Sequence, residues 1–298
     1  MGLKFSSFVI RGIDVSHNQG LVRWQEVPSM TQADFAIIRT GYGRTVDKQF
    51  VNNWNGSVFV VDRGVYPYID YYSNWYNKNS PAYGLDDLAW GKEQAENCYK
   101  LLGGYKGIVW ADIENGAASY STPLTDPVTK EHAQTILLGF LTRMDQLNGQ
   151  YNGIYKSVGW LYWLYKKFRD RPLWVAWYED SVDADDVIYS CKMNGWVGDI
   201  YIWQHTEDGH GKDICESHGL DLDKFIGTRE MYIKAFGIET YKLTTRPILI
   251  IHAQPDSKSK VLGVIKWNKK IELSGISNGW GKLFDRKGFV ETKNLKLL

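Results

Sequence analysis

The sequence predicts an α/β protein: a closed barrel of mostly parallel strands wrapped by helices, followed by a small all-β barrel. Three observations carry this. Between residues 8 and 228, apolar β-type runs alternate with segments of helical periodicity; the runs are apolar on both faces; and the last stretch of chain changes in both periodicity and charge. Strands apolar on both faces belong to a parallel sheet covered by helices. About seven or eight of them in roughly 220 residues suit closure into a barrel. An open doubly wound sheet lacks its usual sign, since no Gly-x-Gly-x-x-Gly follows the first strand.

In chain order, Phe8 to Val15, Phe35 to Arg39, Gly64 to Tyr68, Gly107 to Ile113, Gly153 to Tyr155, Leu173 to Trp177 and Ile200 to Gln204 read as strands. Leu88 to Leu102 and Thr129 to Leu147 carry helical periodicity, and Thr125-Asp126-Pro127 supplies a start for the second. Residues 229–242 are read as a linker. From 243 to 298, eleven Lys and Arg stand against four Asp and Glu, while the rest of the chain leans acidic. Here Ile248 to His252, Val261 to Ile265, Ile271 to Ser274, Gly281 to Phe284 and Gly288 to Val290 read as short strands, broken by Pro255-Asp256, Trp267-Asn268 and Ser277-Asn278-Gly279. The expected division is a barrel over 1–228 and a small β domain over 243–298, near the lower size limit for folding alone.

Composition excludes several classes of function. The 298 residues carry a formal net charge of +1, so no overall basic field is available for nucleic acid or an anionic membrane. No apolar run approaches the roughly 18 residues of a membrane span, and Met1 to Arg11 lacks the order of a secretory signal, so a cytoplasmic start is expected. Cys98, Cys191 and Cys215 are too few and too far apart for a disulfide framework and read as buried thiols. His17, His205 and His210 are spread too widely for a metal cluster. The run Asp180, Asp183, Asp185 and Asp186 lacks the ligand order of a calcium loop and reads as a helix start. The compositional oddity is aromatic: 13 Trp, 19 Tyr and 11 Phe. Such rings pack in cores, and they also offer flat faces to half-apolar ligands such as sugars.

In a barrel of parallel strands, reactive groups gather at the C-terminal strand ends. Four acids qualify: Asp14, Asp112, Glu114 and Asp221. Asp112 and Glu114, two apart on one strand, share a face. Crowded and partly desolvated, two carboxyls resist joint ionisation, which supplies an acid and an anion together. Glycosidic cleavage uses such a pair. Taken singly, each acid also reads as a solvated strand end or a turn residue. Among rings near strand ends, Tyr66, Tyr68, Trp177 and Tyr178 are the candidate sugar contacts, while Trp110 and Trp174 sit earlier on their strands and read as core.

Six segments in order resemble one family. They are Gly12-Ile13-Asp14-Val15-Ser16-His17-Asn18-Gln19-Gly20, Phe35-Ala36-Ile37-Ile38-Arg39-Thr40-Gly41-Tyr42-Gly43, Gly64-Val65-Tyr66-Pro67-Tyr68, Ala111-Asp112-Ile113-Glu114, Ile202-Trp203-Gln204-His205-Thr206 and Leu220-Asp221-Leu222-Asp223-Lys224-Phe225. Over roughly residues 8–228 the chain resembles the glycoside hydrolase family 25 lysozymes. Its basic tail, through Leu262-Gly263, Gly279-Trp280-Gly281-Lys282 and Lys287-Gly288-Phe289-Val290, resembles a bacterial SH3-like wall-binding module.

The resemblance implies an irregular TIM-like barrel, without metal or nucleotide cofactor, that cleaves the β-1,4 bond after N-acetylmuramic acid in peptidoglycan. Glu114 would be the general acid and Asp112 would steady the N-acetyl group or the developing positive charge; Asp14 and Asp221 would complete the cluster. The family retains configuration, and these residues leave open whether a carboxylate or the substrate's own acetamido oxygen attacks. Pro67 stands where the family commonly has His or Phe, and Asp223 where Asn is more usual. Residues 70–90 read as an insertion whose Tyr71, Tyr72, Trp75, Tyr76 and Tyr83 either stack on glycan or form a loop core. In the tail, Lys258, Lys260, Lys266, Lys269 and Lys270 either meet wall polymers or confer solubility, and Trp280 either contacts ligand or closes the small barrel. The expected partner is bacterial peptidoglycan, and the expected route to it is release at lysis, as in phage endolysins. The alternatives are a catalytically inactive wall-binding or tail-associated structural protein and a chitinase-like hydrolase.

Overall fold

The computed structural model describes residues 9–75, 77–114, 125–211, 213–217, 219–244, 248–267 and 269–298. Tyr76 lies outside them, as do residues 115–124. The first elements are β1 (Ile10–Val15), α1 (Val27–Met30), β2 (Ala33–Tyr42), β3 (Thr45–Val46), α2 (Phe50–Gly56), β4 (Asp62–Tyr68) and α3 (Asp87–Leu102). There follow β5 (Trp110–Asp112), α4 (Pro127–Asn148), β6 (Gly153–Ser157), β7 (Leu173–Ala176), α5 (Ala184–Met193), β8 (Ile200–His210), β9 (Gly219–Phe225) and α6 (Arg229–Phe236). The last are β10 (Glu239–Leu243), β11 (Ile248–His252), β12 (Val261–Lys266), β13 (Lys270–Ser277), β14 (Trp280–Leu283), β15 (Phe289–Glu291) and β16 (Leu295–Leu297).

Eight strands close a barrel in the order β1, β2, β4, β5, β6, β7, β8, β9, with β3 folded back on β2 as a hairpin. From β1 round to β8 the neighbours are parallel; β9 runs antiparallel to both β8 and β1 and shuts the ring. The expected barrel is therefore present, closed by a strand that the periodicity did not reveal. In β9 only Leu220 and Leu222 pack outward, while Asp221 and Asp223 alternate with them, so the strand lacks the continuous apolar run of its parallel neighbours.

Alternation sorts the barrel strands into two cores. Inward, Phe35, Ile37, Trp110, Trp174 and Phe225 fill the interior, and Tyr232 and Phe236 of α6 plug its floor. Outward, Ile13, Ile38, Val65, Val109, Ile113 and Val175 meet Ala95 of α3 and Ile136, Leu137, Phe140 and Met144 of α4. Each fully buried side chain of this size contributes about 1.5–3 kcal/mol. The α4 helix starts where expected: the Asp126 carboxylate accepts the Thr129 N–H at 2.7 Å, Pro127 occupies the first turn, and Gly149 ends the helix in the left-handed conformation. Two glycines bring α3 and α4 together, since a Cβ at Gly91 would stand 2.0 Å from the Ile136 carbonyl and one at Gly139 2.3 Å from that of Leu88.

Residues 229–242 are a helix and a strand rather than a linker. Thr228 caps α6, Gly237 ends it, and β10 begins at Glu239, where it pairs with β13 and β16. The second sheet, in the order β12, β11, β15, β14, β13, β10, β16, encloses Leu243, Leu249, Ile251, Ile265, Ile271, Leu273, Leu283 and Val290. Within it, Trp280 sets its ring edge-on to His252 at 5.3 Å. The sheet docks on the N-terminal end of the barrel. Phe284 joins the floor core and stacks on Tyr232 at 5.8 Å, Phe289 meets Phe59 at 5.2 Å, Lys282 reaches Asp62 at 3.4 Å, and Arg229 pairs with Glu272.

Candidate active site

Strand register gathers the acids at the other, C-terminal end. Asp14 lies directly across from Asp221 on the β1–β9 pair, and one step deeper Gly12 lies across from Asp223. On the far wall Asp112 sits between Tyr68 of β4 and Tyr155 of β6, and Glu114 follows two residues on, so it returns to the same face. All four acids expected from the sequence, Asp14, Asp112, Glu114 and Asp221, line one groove of about 460 Å³.

Crowding and burial decide the protonation of this groove. Burial pushes Asp14 well above the usual carboxylate range, and the neighbouring Asp221 and Asp223 push it further. Asp112 is likewise held well up, by burial first and then by Glu114. Glu114 is raised by its burial; Lys156 pulls it back, Glu207 pushes it up, and hydrogen bonds with Tyr68 and Tyr155 pull it down. Asp221 rises to about 7 through burial, Glu207 and Glu114. The buried cation Lys156, which pulls down both Asp112 and Glu114, is itself lowered to about 8 by desolvation; its ammonium donates to the Ile113 carbonyl and lies 4.8 Å from the Trp163 ring centroid. The groove therefore favours the protonated forms of its carboxyls, which is what an acid catalyst for an ether-type linkage requires.

A neutral amide organises one wall. Gln204 Nε2 donates to Asp14 Oδ2 at 2.6 Å, and its Oε1 accepts the hydroxyls of Tyr155 at 2.7 Å and Tyr178 at 2.5 Å. Below it, the Trp174 indole N–H donates to Asp223 Oδ1 at 2.8 Å. At the rim Arg39 bonds Asp47 at 2.8 Å, and the His17 ring meets the same carboxylate at 3.0 Å.

Three of the four candidate sugar-contacting rings line the groove: Tyr66, Tyr68 and Tyr178. Trp177 does not. The inward positions of β7 are Trp174 and Ala176, so the next residue turns outward, and Trp177 packs against the helix-side core. Trp174, read from the sequence as core, is the indole that reaches the groove, whereas Trp110 is core. The segment 70–90, whose last four residues belong to α3, divides by residue: Tyr71 is buried, while Trp75 and Tyr83 are exposed, with the Trp75 ring tilted against that of His132 at a centroid distance of 3.8 Å. Tyr155, Gln204, Glu207 and Lys156 also belong to the site and were assigned no role from the sequence. Tyr155 ends a predicted strand and Gln204 stands inside a quoted motif, so a search of strand ends for uncharged hydrogen-bonding groups finds both. Glu207 lies beyond the predicted end of its strand, which continues to His210.

Known proteins agree with this architecture. None of the curated proteins matches the chain at a significant level. Among solved structures, a family 25 glycosyl hydrolase from Bacillus anthracis superposes with a TM-score of 0.57 at 20% identity, over 79% of this chain and 97% of that one. A bacterial lysozyme from Streptomyces coelicolor gives 0.55 at 21%, over 78% and 99%. A muramidase from Trichobolus zukalii gives 0.54 at 23%, over 76% and 99%. At these identities the likeness establishes the barrel. The sequence itself carries the assignment, because residues 13–214, the span that supplies Asp14, Asp112, Glu114 and Gln204, match the model of glycosyl hydrolases family 25, and the chain is a glycoside hydrolase belonging to that family.

Proposed function

We propose that the protein is a lysozyme that hydrolyses peptidoglycan at the β-1,4 bond between N-acetylmuramic acid and N-acetylglucosamine. The observation that carries this reading is the meeting of Asp14, Asp112, Glu114 and Asp221 in one groove where burial favours their protonated forms. Glu114 gives its proton to the glycosidic oxygen as the C1–O bond breaks. Asp112, on the same face, meets the acetamido group or the positive charge at C1, and Asp14 and Asp221 hold the facing wall. Water then adds its hydroxyl to C1 and returns a proton to Glu114. Tyr66, Tyr68 and Tyr178 offer faces and hydroxyls to the sugar rings. The similarity to solved lysozymes and muramidases supports the choice of substrate. The second sheet, with its eleven Lys and Arg against four acids over 243–298, serves as a wall-binding module that raises local substrate concentration. The biological setting that suits such a pairing is a phage endolysin released at lysis.

The test is incubation with Gram-positive cell walls and analysis of the products for new reducing ends at muramic acid. The wild type releases them, and Glu114→Gln loses on the order of a hundredfold or more in rate. An inert wild type that still binds walls would leave a binding protein. Activity on chitin but not on walls would point to a chitinase.

A further inference from the structure

We propose that Trp75 is a substrate-contacting platform outside the groove, on which a sugar ring of a long glycan strand stacks; this rests on the reading of the groove as the place where peptidoglycan is cut. Residues 69–86 join β4 to α3, and in a barrel of this kind such loops stand at the end that carries the groove. Tyr68, the last residue of β4, lines the groove itself. Just past it, Asp70 roots the segment. Its Oδ1 accepts the Tyr42 hydroxyl at 2.8 Å and the Tyr72 and Ser73 N–H groups at 2.9 Å, and its carbonyl accepts the Trp90 indole N–H at 2.8 Å and the Gln94 amide at 2.9 Å.

Farther along, one carboxylate fixes the ring. Asp87, the first residue of α3, accepts the Trp75 indole N–H at 2.6 Å and the Asn74 amide at 2.7 Å on Oδ1, and its Oδ2 meets His132 Nδ1 at 2.7 Å. His132, from the second turn of α4, backs the Trp75 ring, with the two planes inclined by 33°. Asp87 and His132 are largely buried, yet Trp75 remains 48% exposed. The indole is thus held at its edge and backed on one face while much of its surface stays in water. Such an arrangement gains little burial, but it pre-sets a flat apolar face, which is what stacking on the C–H face of a sugar ring needs. A second ring stands close by in the chain path. The Gly84 N–H donates to the Asn74 carbonyl at 2.8 Å and closes a neck, so Tyr83, itself exposed, leaves that neck opposite Trp75. Two rings offer far less than the roughly 800 Å² that each side of a stable protein interface buries, so the occupant they fit is a sugar chain.

Two variants test this in the full chain: Trp75→Ala removes the ring, and Trp75→Phe keeps a ring while losing the N–H. The substrates are long glycan chains stripped of their stem peptides and a tetrasaccharide of the same repeat. On long chains Trp75→Ala should raise KM about fivefold or more and leave kcat within about twofold, because the contact is made equally before and during bond breaking. Trp75→Phe should stay within about twofold of wild type, and all three proteins should cut the tetrasaccharide alike. An unchanged KM on long chains, or an equal loss on the tetrasaccharide, would overturn the proposal. A binding arm needs no cleavage. With Glu114→Gln as the parent, adding Trp75→Ala should weaken the Kd for the stripped long chains about fivefold or more, and an unchanged Kd, or a parent that does not bind them, counts against the platform. A wild type inert on walls whose Glu114→Gln parent still loses glycan affinity with Trp75 would sink the lysozyme reading and leave the platform standing.

Discussion

Gln204 and Asp14 are 190 residues apart in the chain, yet the amide of one donates to the carboxyl of the other across 2.6 Å. The amide oxygen is occupied by Tyr155 and Tyr178, so its orientation is fixed from both ends. Gln204→Leu should leave Asp14 short of a donor and the two hydroxyls short of an acceptor. Leaving such buried groups unsatisfied costs roughly 1–3 kcal/mol each, and wall-cleavage rates should fall about tenfold or more. Gln204→Glu should be worse, because it places another acid against Asp14. Steady-state rates of both variants against wild type decide the point.

The pH dependence of cleavage should be governed by Glu114 on its alkaline side. As the proposed general acid it must hold its proton to act, so activity should fall as pH rises through its elevated titration. Lys156 is the positive charge that draws that titration down. Lys156→Met should therefore move the alkaline limb of kcat/KM to higher pH, whereas Glu207→Gln, which removes a charge pushing the other way, should move it lower. Profiles of the two variants that shift together would refute this assignment.

Fold stability should decline from acid to neutral pH. Asp221 titrates near 7 in the fold against 3.8 ordinarily. Between about pH 4 and pH 7 the unfolded chain has released a proton that the native state retains, so stability is lost as pH rises through that window. The effect is on the order of 4 kcal/mol, present in full below pH 4 and gone above pH 7. Asp221→Asn should flatten this slope. Urea melts at pH 5 and pH 8 provide the measurement.

Asp62 ties three parts of the molecule together. It is buried at the start of β4, accepts the Tyr232 hydroxyl at 3.0 Å and faces Lys282 of the second sheet at 3.4 Å. Asp62→Ala should cost about 3 kcal/mol, the usual penalty for removing one partner of a buried ionic contact. It should also loosen the second sheet, which limited proteolysis around Gly237 would register as faster cutting. Unchanged proteolysis would mean that the aromatic contacts alone hold the two bodies together.

The groove was legible in the sequence to the extent that chemistry follows local period. Asp112 ends β5 and Glu114 stands two residues on in the same extended direction, and that spacing puts them on one face. The start of α4 was legible for a similar reason, since Asp126 and Pro127 act within one turn. What escaped depends on distant strands. The β9 strand alternates Asp221 and Asp223 with Leu220 and Leu222 instead of carrying an unbroken apolar run, so its membership in the barrel appears only when β1 and β8 flank it. Trp177 was assigned to the groove because β7 was read one residue long, which conceals the step from an inward to an outward position. The buried partner of Gln204 could not be named from a motif, because nothing near it in sequence supplies one.

The β4 strand begins at Asp62, which grips the second sheet, and ends at Tyr68, which lines the groove. Seven residues at about 3.3 Å each make a strut roughly 20 Å long. The grip on the second sheet and the acidic groove thus sit at opposite ends of one stiff rod, with no hinge between them within that strand. On the proposed reading of the second sheet as a wall-binding module, the enzyme would work at a set stand-off from its mooring, on the strands its barrel height lets it touch rather than on the one that holds it.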